Sequence, residues 1–316
     1  MVVKRLHIMN QKKTEELLEQ LNLEYLQLSR MNELTYGFFT IRILYALKNV
    51  DCKLFINTCS QIIKFRKIRK LSYNRADNKP FIYSSNSGTV SPNECVVYTC
   101  VTGGYDQIMQ EPLTKRHQFI YFTDEERKSN SDYWTVTPVE NLKWKGNQIN
   151  RYYKLHPSEF LQPYRYSMYI DGDVQIISDI TPFFDAAKES KYGIAMHAHS
   201  DRNCVYKEAQ ACILLRRGDK DAILKQTEQY RKDGFPENFG MCMAKMIVID
   251  NENPYSKIIL DAWWDEFIRS KSGRDQLSFP YVIWKMGYKI EDFAILGNNI
   301  YLNPKIRVRN LGKHKG

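Results

Sequence analysis

The sequence predicts an α/β fold, a sheet of parallel strands interleaved with helices, behind a helical N-terminal region. Three observations predict it. Short apolar runs rich in β-branched and aromatic residues recur: CVVYTCVT (95–102), FIYFTD (119–124) and YSMYID (166–171). Segments of helical pattern lie between and after them, and strands that alternate with helices build parallel sheets. The runs also stop on polar punctuation, at Thr102-Gly103-Gly104, Thr123-Asp124 and Asp171-Gly172-Asp173. In open α/β sheets, ligands sit at the carboxyl ends of the strands.

Taken in order, residues 11–30 place Leu17, Leu18, Leu21, Tyr25 and Leu28 on one face at helical spacing. Residues 36–72 read as helical too, with aromatic and aliphatic residues among Lys64, Arg66, Lys67, Arg69 and Lys70. Residues 73–94 carry the polar turn formers SSNSG and SPN and read as a linker. The boundaries that follow are 1–72 for a basic helical accessory region, 73–94 for the linker and 95–316 for the main domain. Within that domain the three runs above are strands, 147–160 is helical, YGIAMHAH (192–199) and MAKMIVID (243–250) are strands, and a helix runs from about Ser256 to Ser270.

A chain of 316 residues suits one large domain with an appendage. Its 43% hydrophobic content, with 21 tyrosines and 15 phenylalanines, is enough for a sizeable core. The net charge of +10 is uneven: residues 1–72 hold 13 Lys/Arg against 6 Asp/Glu, and residues 73–316 hold 33 against 30. Such a basic segment suits nucleic acid, an anionic membrane surface or an acidic partner, or is a solvated face. The seven cysteines are odd in number and no two have CxxC spacing, which fits reduced thiols in a cytosol-like compartment. The N-terminal MVVKRLHIMNQKK has no apolar core of a signal peptide, and YGFFTIRILYAL (36–47) is shorter than the roughly 20 residues a membrane span needs. The expected location is cytoplasmic, with residues 1–72 docking peripherally on the inner membrane surface or packing as an accessory domain.

Asp171 and Asp173 carry the chemistry of the pattern. Residues i and i+2 on a strand share a face, and Gly172 between them permits close approach to a ligand. Two carboxylates brought together repel unless a cation or proton intervenes. Mg²⁺ and Mn²⁺ prefer oxygen ligands and share them with phosphates, so the triplet suits a metal that holds a diphosphate; a solvated turn is the alternative. The Gly103-Gly104 pair offers backbone N–H groups to a nucleotide or is a plain turn. Asp124 accepts from a base or ribose, or caps a helix. Arg151 and Lys154, three apart, share a helix face that neutralises phosphate or is ordinary surface.

Several segments together, VYTCVTGGYDQIMQEP, FIYFTDEE, RYYKLHPSEFLQPYRYSMYIDGDVQI, HAHSDRNCVYKEAQ and WWDEFIRSKSGRDQLSFPYV, resemble the glycosyltransferase-like family catalogued as domain of unknown function 616. That family is similar to nucleotide-sugar-dependent transferases of GT-A fold, including the family 8 enzymes. The resemblance covers about residues 95–290. It implies a GT-A-like, Rossmann-like fold with a mixed, mostly parallel sheet flanked by helices. It further implies a metal-dependent glycosyltransferase that moves a sugar from a nucleotide-sugar donor, a UDP-sugar first, to a glycan or lipid-linked acceptor, in surface polysaccharide synthesis, with retention slightly favoured over inversion.

By the same resemblance Asp171 and Asp173 bind Mn²⁺ or Mg²⁺. Tyr98, Thr99 and Thr102 through Tyr105 (Thr102, Gly103, Gly104, Tyr105) form the first nucleotide-binding strand and turn. Asp124, Arg151 and Lys154 contact the donor. Asp275 and Gln276 stand beside the reacting sugar. His314 resembles a C-terminal metal ligand and Lys315 a diphosphate contact. Further substrate-binding candidates are His197 and His199, which alternate and otherwise are buried structural histidines; Glu208, otherwise helix surface; and Asn238 and Gly240, otherwise a turn. Trp263 and Trp264 read as core packing rather than sugar stacking. Competing readings are a metal-dependent nucleotidyl- or phosphotransferase, against which the absence of GxxxxGK[ST] counts, and a basic RNA- or membrane-binding module. On the leading reading no nucleic-acid partner is expected.

Overall fold

The computed structural model describes residues 19, 43–44, 46–47, 52–72, 89–103, 111–125, 131–140 and 143–308. Apart from Glu19, the expected helix over 11–30 lies outside them, as do most of the linker and the candidates Gly104, Tyr105, His314 and Lys315. α1 (Cys52–Lys70) ends on Lys67, Arg69 and Lys70, cations that suit the negative end of a helix. Phe55, Ile56 and Ile63 of α1 are exposed.

The main domain then runs β1 (Cys95–Val101), β2 (Gln118–Thr123), β3 (Trp134–Pro138), α2 (Asn147–Leu155), the single turn α3 (Pro157–Phe160), β4 (Tyr166–Ile170), β5 (Val174–Ile176), α4 (Thr181–Glu189), β6 (Ile194–Ala198), α5 (Val205–Leu215), α6 (Lys220–Lys232), β7 (Cys242–Asp250), α7 (Pro254–Ser270), α8 (Asp275–Lys285) and β8 (Ile306–Val308). Local chemistry fixes several starts. Asp219 caps α6 by accepting from the Ala222 N–H at 2.7 Å. Asn253 does the same for α7 at Tyr255, 3.0 Å, with Pro254 at the first helical position.

Six strands form one mixed, mostly parallel sheet in the order β3-β2-β1-β4-β7-β6. β3, β2, β1 and β4 are parallel neighbours. β7 is antiparallel to both β4 and β6, so β6 runs with the first four and β7 alone is reversed. β5 and β8 make a separate antiparallel ribbon that begins directly after Asp173.

All seven residues of β1 are buried, as expected of a strand covered on both faces. Alternate residues face opposite ways. Val97 and Val101 of β1, Met168 of β4 and Val248 of β7 pack with Phe183 and Phe184 of α4. Val96, Tyr98 and Cys100, with Tyr169 and Ile247, pack on the other side with Tyr153 of α2, Trp263 of α7 and Phe279 of α8. α5 and α6 close a third cluster against Leu277 and Tyr281 of α8. Trp263 and Trp264 are both buried, so the core reading of that pair holds. All seven cysteines are free thiols. Among the described residues, no helix is long and apolar enough to cross a membrane.

Candidate active site

Because β1, β2 and β4 are parallel, their carboxyl ends lie along one sheet edge, and that edge gathers Thr102, Gly103, Asp124, Asp171 and Asp173. Gly103 adopts φ +68°, a left-handed turn that favours glycine. Its N–H donates to both carboxylate oxygens of exposed Asp124, at 3.0 Å each. Asp124 therefore ties the β1 turn to the end of β2. Tyr98 and Thr99 lie below this edge and are buried. The Tyr98 hydroxyl donates to the Lys154 carbonyl at 3.0 Å. It thereby braces the end of α2.

The carboxylate pair is partly exposed. Tyr169, two residues before Asp171 on β4, donates its hydroxyl to Asp171 at 3.1 Å. Burial, and then the charge of Asp171, raise the Tyr169 phenol well above its ordinary range, so it stays a donor. A cation already faces the pair. The Lys245 ammonium lies 2.6 and 2.8 Å from the two oxygens of Asp173 and 3.6 Å from Asp171.

Strand register places it there. Ile170 pairs with Met246 across β4 and β7, and the Asp171 N–H donates to the Lys245 carbonyl at 2.8 Å. Residues opposed across antiparallel strands point to the same face. Sequence reasoning missed Lys245, although it is the one basic residue inside the apolar strand CMAKMIVID.

A hydrogen-bonded path leads from this pair to Asp275. Asn150 donates to the Tyr169 hydroxyl at 3.1 Å, and Arg151 Nη1 donates to Asn150 Oδ1 at 2.8 Å. Arg151 Nε reaches Asp275 Oδ1 at 3.4 Å, and Lys154 Nζ donates to Asp275 Oδ2 at 2.6 Å. Trp263 Nε1 donates to the Asp275 carbonyl at 2.7 Å, which fixes the start of α8. Burial opposes ionisation of Asp275, but the charges of Lys154 and Arg151 hold its carboxyl below the usual range. Arg151 and Lys154 do share a helix face, yet the face turns inward. The Lys154 side chain is 2% exposed and bound to Asp275. Arg151, at 21%, stays open to solvent beside the site. Gln276 follows Asp275 and is mostly buried.

A second charged cluster follows β6. The His199 Nδ1 accepts from the Asp201 and Arg202 N–H groups, each at 3.1 Å. That leaves the proton on Nε2, 3.5 Å from Glu208 Oε2. Arg202 donates its Nε to the same carboxylate. Burial works against the Glu208 anion, and the His199 hydrogen bond with the charges of Arg202 and Arg274 holds it below the usual range. Glu208 is thus buried rather than helix surface. Arg274 feels both Glu208 and Asp275 and so links the two clusters electrostatically.

His197 is fully buried, with Nε2 2.9 Å from Asn303 Nδ2 and its ring edge-on to Phe183. Its surroundings are those of a buried structural histidine. His199 lies one residue past the end of β6 (Ile194–Ala198), so strand alternation does not extend to it. Asn238, at φ +58°, and Gly240, at φ +104°, shape the turn into β7, and the Gly240 N–H donates to the Asn203 carbonyl at 2.9 Å.

Asp171 and Asp173 fit a divalent cation in one respect: both carboxylates already lie within reach of a single positive centre, the Lys245 ammonium. Two carboxylates leave most of an octahedral shell to water and phosphate, as is usual for Mg²⁺. Among the described residues, no group of three or more His, Cys, Asp or Glu side chains is placed to hold a metal.

The TOD1/MUCI70, glycosyltransferase-like domain matches residues 80–303, a longer span than the 95–290 expected. No curated protein matches the chain. Among similar solved structures are the galactosyltransferase LgtC with donor and acceptor sugar analogs, at 12% identity over 60% of this chain and 70% of that one, TM-score 0.36. Others are mouse xyloside xylosyltransferase 1 in its apo form, at 8% identity, 69% and 98% coverage and TM-score 0.40, and an active-site mutant of LgtC, at 11%, 59% and 69%, TM-score 0.35.

Proposed function

The chain belongs to the TOD1/MUCI70 glycosyltransferase-like family, and from that premise we propose that it transfers a sugar from a nucleotide-diphosphate sugar, a UDP-sugar first, to a glycan or lipid-linked acceptor. The observation that carries this reading is the continuous path from the strand-end pair Asp171–Asp173 through Tyr169, Asn150 and Arg151 to Asp275. It joins a place for a diphosphate to a buried anion.

In this reading Asp171 and Asp173 hold Mn²⁺ or Mg²⁺. Such an ion supplies Lewis-acid stabilisation of charge on a departing diphosphate. Tyr169 fixes the orientation of Asp171 through its hydroxyl. Arg151 adds positive charge beside the donor while it keeps Asp275 ionised. Asp275, with two cations against it, is a poor proton acceptor. Its part is to hold Arg151 and Lys154 in place. A carboxylate so held does not serve as the base, which suits a retaining design, in which the leaving phosphate takes the acceptor proton. Gln276 offers amide contacts to sugar hydroxyls next to it, and the His199–Glu208–Arg202 cluster couples to Asp275 through the charge of Arg274.

The test is a thermal-shift screen of UDP- and GDP-sugars with and without Mn²⁺, followed by donor hydrolysis assays. A ligand that binds the native state raises the melting temperature by mass action. The expected result is a rise with one donor that needs Mn²⁺ and disappears in Asp173→Asn. If no donor shifts the protein in either condition, or Asp173→Asn behaves as wild type, the reading fails.

A further inference from the structure

We infer that Lys245 is a built-in counter-cation of the Asp171–Asp173 pair and makes divalent-cation binding conditional on the donor diphosphate. The inference rests on the transferase reading above for the identity of that diphosphate, but its first step concerns only this chain's own charges.

The geometry is specific. Lys245 is opposite Asp171 on the reversed strand β7, with its backbone carbonyl held by the Asp171 N–H at 2.8 Å. Its ammonium makes two short contacts to Asp173, 2.6 and 2.8 Å, and a longer one of 3.6 Å to Asp171. The side chain is 23% exposed, so this is a partly buried pair in which charge is weakly screened. Asp171 is further committed to the Tyr169 hydroxyl at 3.1 Å.

The charge balance gives the consequence. Lys245 offsets one of the two carboxylate charges, and Arg151 also acts on Asp171. A divalent ion approaching alone therefore meets less negative charge than the triplet promises, beside a fixed like charge. When a diphosphate is present its oxygens bring two or more negative charges. They supply ligands to the ion and an anionic partner to the ammonium together. Metal and diphosphate therefore bind cooperatively, each raising the affinity of the other by the same factor, as linkage requires. Lys245 acts here as a positioning residue: it orders the carboxylates and sets the condition under which the ion enters.

The experiment is a calorimetric Mn²⁺ titration of the full chain, wild type and Lys245→Met, with and without UDP, checked by electron paramagnetic resonance of free Mn²⁺. Without UDP, Lys245→Met is expected to bind Mn²⁺ at least tenfold more tightly than wild type. Saturating UDP is expected to raise wild-type Mn²⁺ affinity at least tenfold, and that of Lys245→Met by clearly less. Lys245→Arg keeps the charge and should track wild type. Lys245→Gln carries the same comparison if the methionine variant does not fold. Equal Mn²⁺ affinity of wild type and the uncharged variants without UDP overturns the inference and leaves the transferase reading standing. An uncharged variant that gains no Mn²⁺ affinity overturns it as well. UDP that binds neither protein in the presence of Mn²⁺ overturns both.

Discussion

Replacing Asp275 by asparagine should destabilise the fold by about 3–5 kcal/mol, the usual cost of removing one partner from a buried ion pair. Asp275 accepts from Lys154 at 2.6 Å and from Arg151 at 3.4 Å, with Lys154 2% and Asp275 4% exposed. Asparagine keeps the shape and loses the charge. Lys154 is then left among aromatic rings, its ammonium 5.0 Å from the Tyr169 centroid and 6.0 Å from that of Trp263. That leaves a buried ammonium without its closest counter-ion.

For a domain of this size, each kcal/mol moves the melting temperature by about 2–4 °C, so a fall of roughly 6–20 °C is expected. Urea unfolding followed by tryptophan fluorescence reads the difference directly. The folded-state pKa of Asp275 is depressed, so its contribution is present above the unfolded value of about 3.9 and is lost as pH falls below it. The gap between wild type and variant should stay flat from about pH 5 to 8 and narrow below about 4. Adding Lys154→Met to the variant should recover part of the loss, because the orphaned charge goes with it. A cost below about 1 kcal/mol would refute the reasoning, since it would mean that the pair is solvated as a surface bridge is.

Tyr98→Phe removes the hydroxyl that donates to the Lys154 carbonyl. It should cost about 1–2 kcal/mol in urea unfolding and leave nucleotide affinity by calorimetry within about twofold of wild type, a change of only about 0.4 kcal/mol. A larger loss of affinity would put Tyr98 back at the donor. His197, whose pKa burial pulls down to about 3, stays neutral in the fold while the unfolded chain takes up a proton below about 6.5. Stability should therefore fall by up to about 1.4 kcal/mol per pH unit as pH drops from about 6.5 towards 3 on account of this residue. His197→Gln should show a shallower fall over that window in denaturation series at stepped pH, and equal slopes would contradict the burial.

What could be read in the sequence was whatever a short window encodes. β1, β2 and β4 announced themselves because a strand buried on both faces is a nearly unbroken apolar run, and a polar stop after such a run is conspicuous. Asp171 and Asp173 stood out for the same reason. α2 was visible too, but the direction of its basic face was not, because Asp275 lies 121 residues from Lys154. Lys245 was lost to a similar distance. Its carboxylates are found only when β7 is known to lie beside β4 and to run against it, and strand direction has no local signature. β3, only five residues long, and the three-residue strands of the β5–β8 ribbon are too short to show a periodicity. The end of β6 at Ala198, one residue before His199, and the register shift after Met196 are set by the partner strand rather than by the residues themselves.

The reversed strand has one more consequence. Chains of one family vary most in the length and content of their loops, and a charge mounted on a loop shifts with each insertion. Lys245 is instead mounted in the interior of β7, tied to Asp171 on the β4 side and lying at the register shift on the β6 side, between the Met196–Ile247 and His197–Met243 pairs. Lengthening the turns before or after β7 leaves its alignment with Asp171 untouched, whereas slipping the strand by a single residue would carry every side chain to the opposite face and break the core. The positive charge at this edge is therefore insulated from drift in loop length.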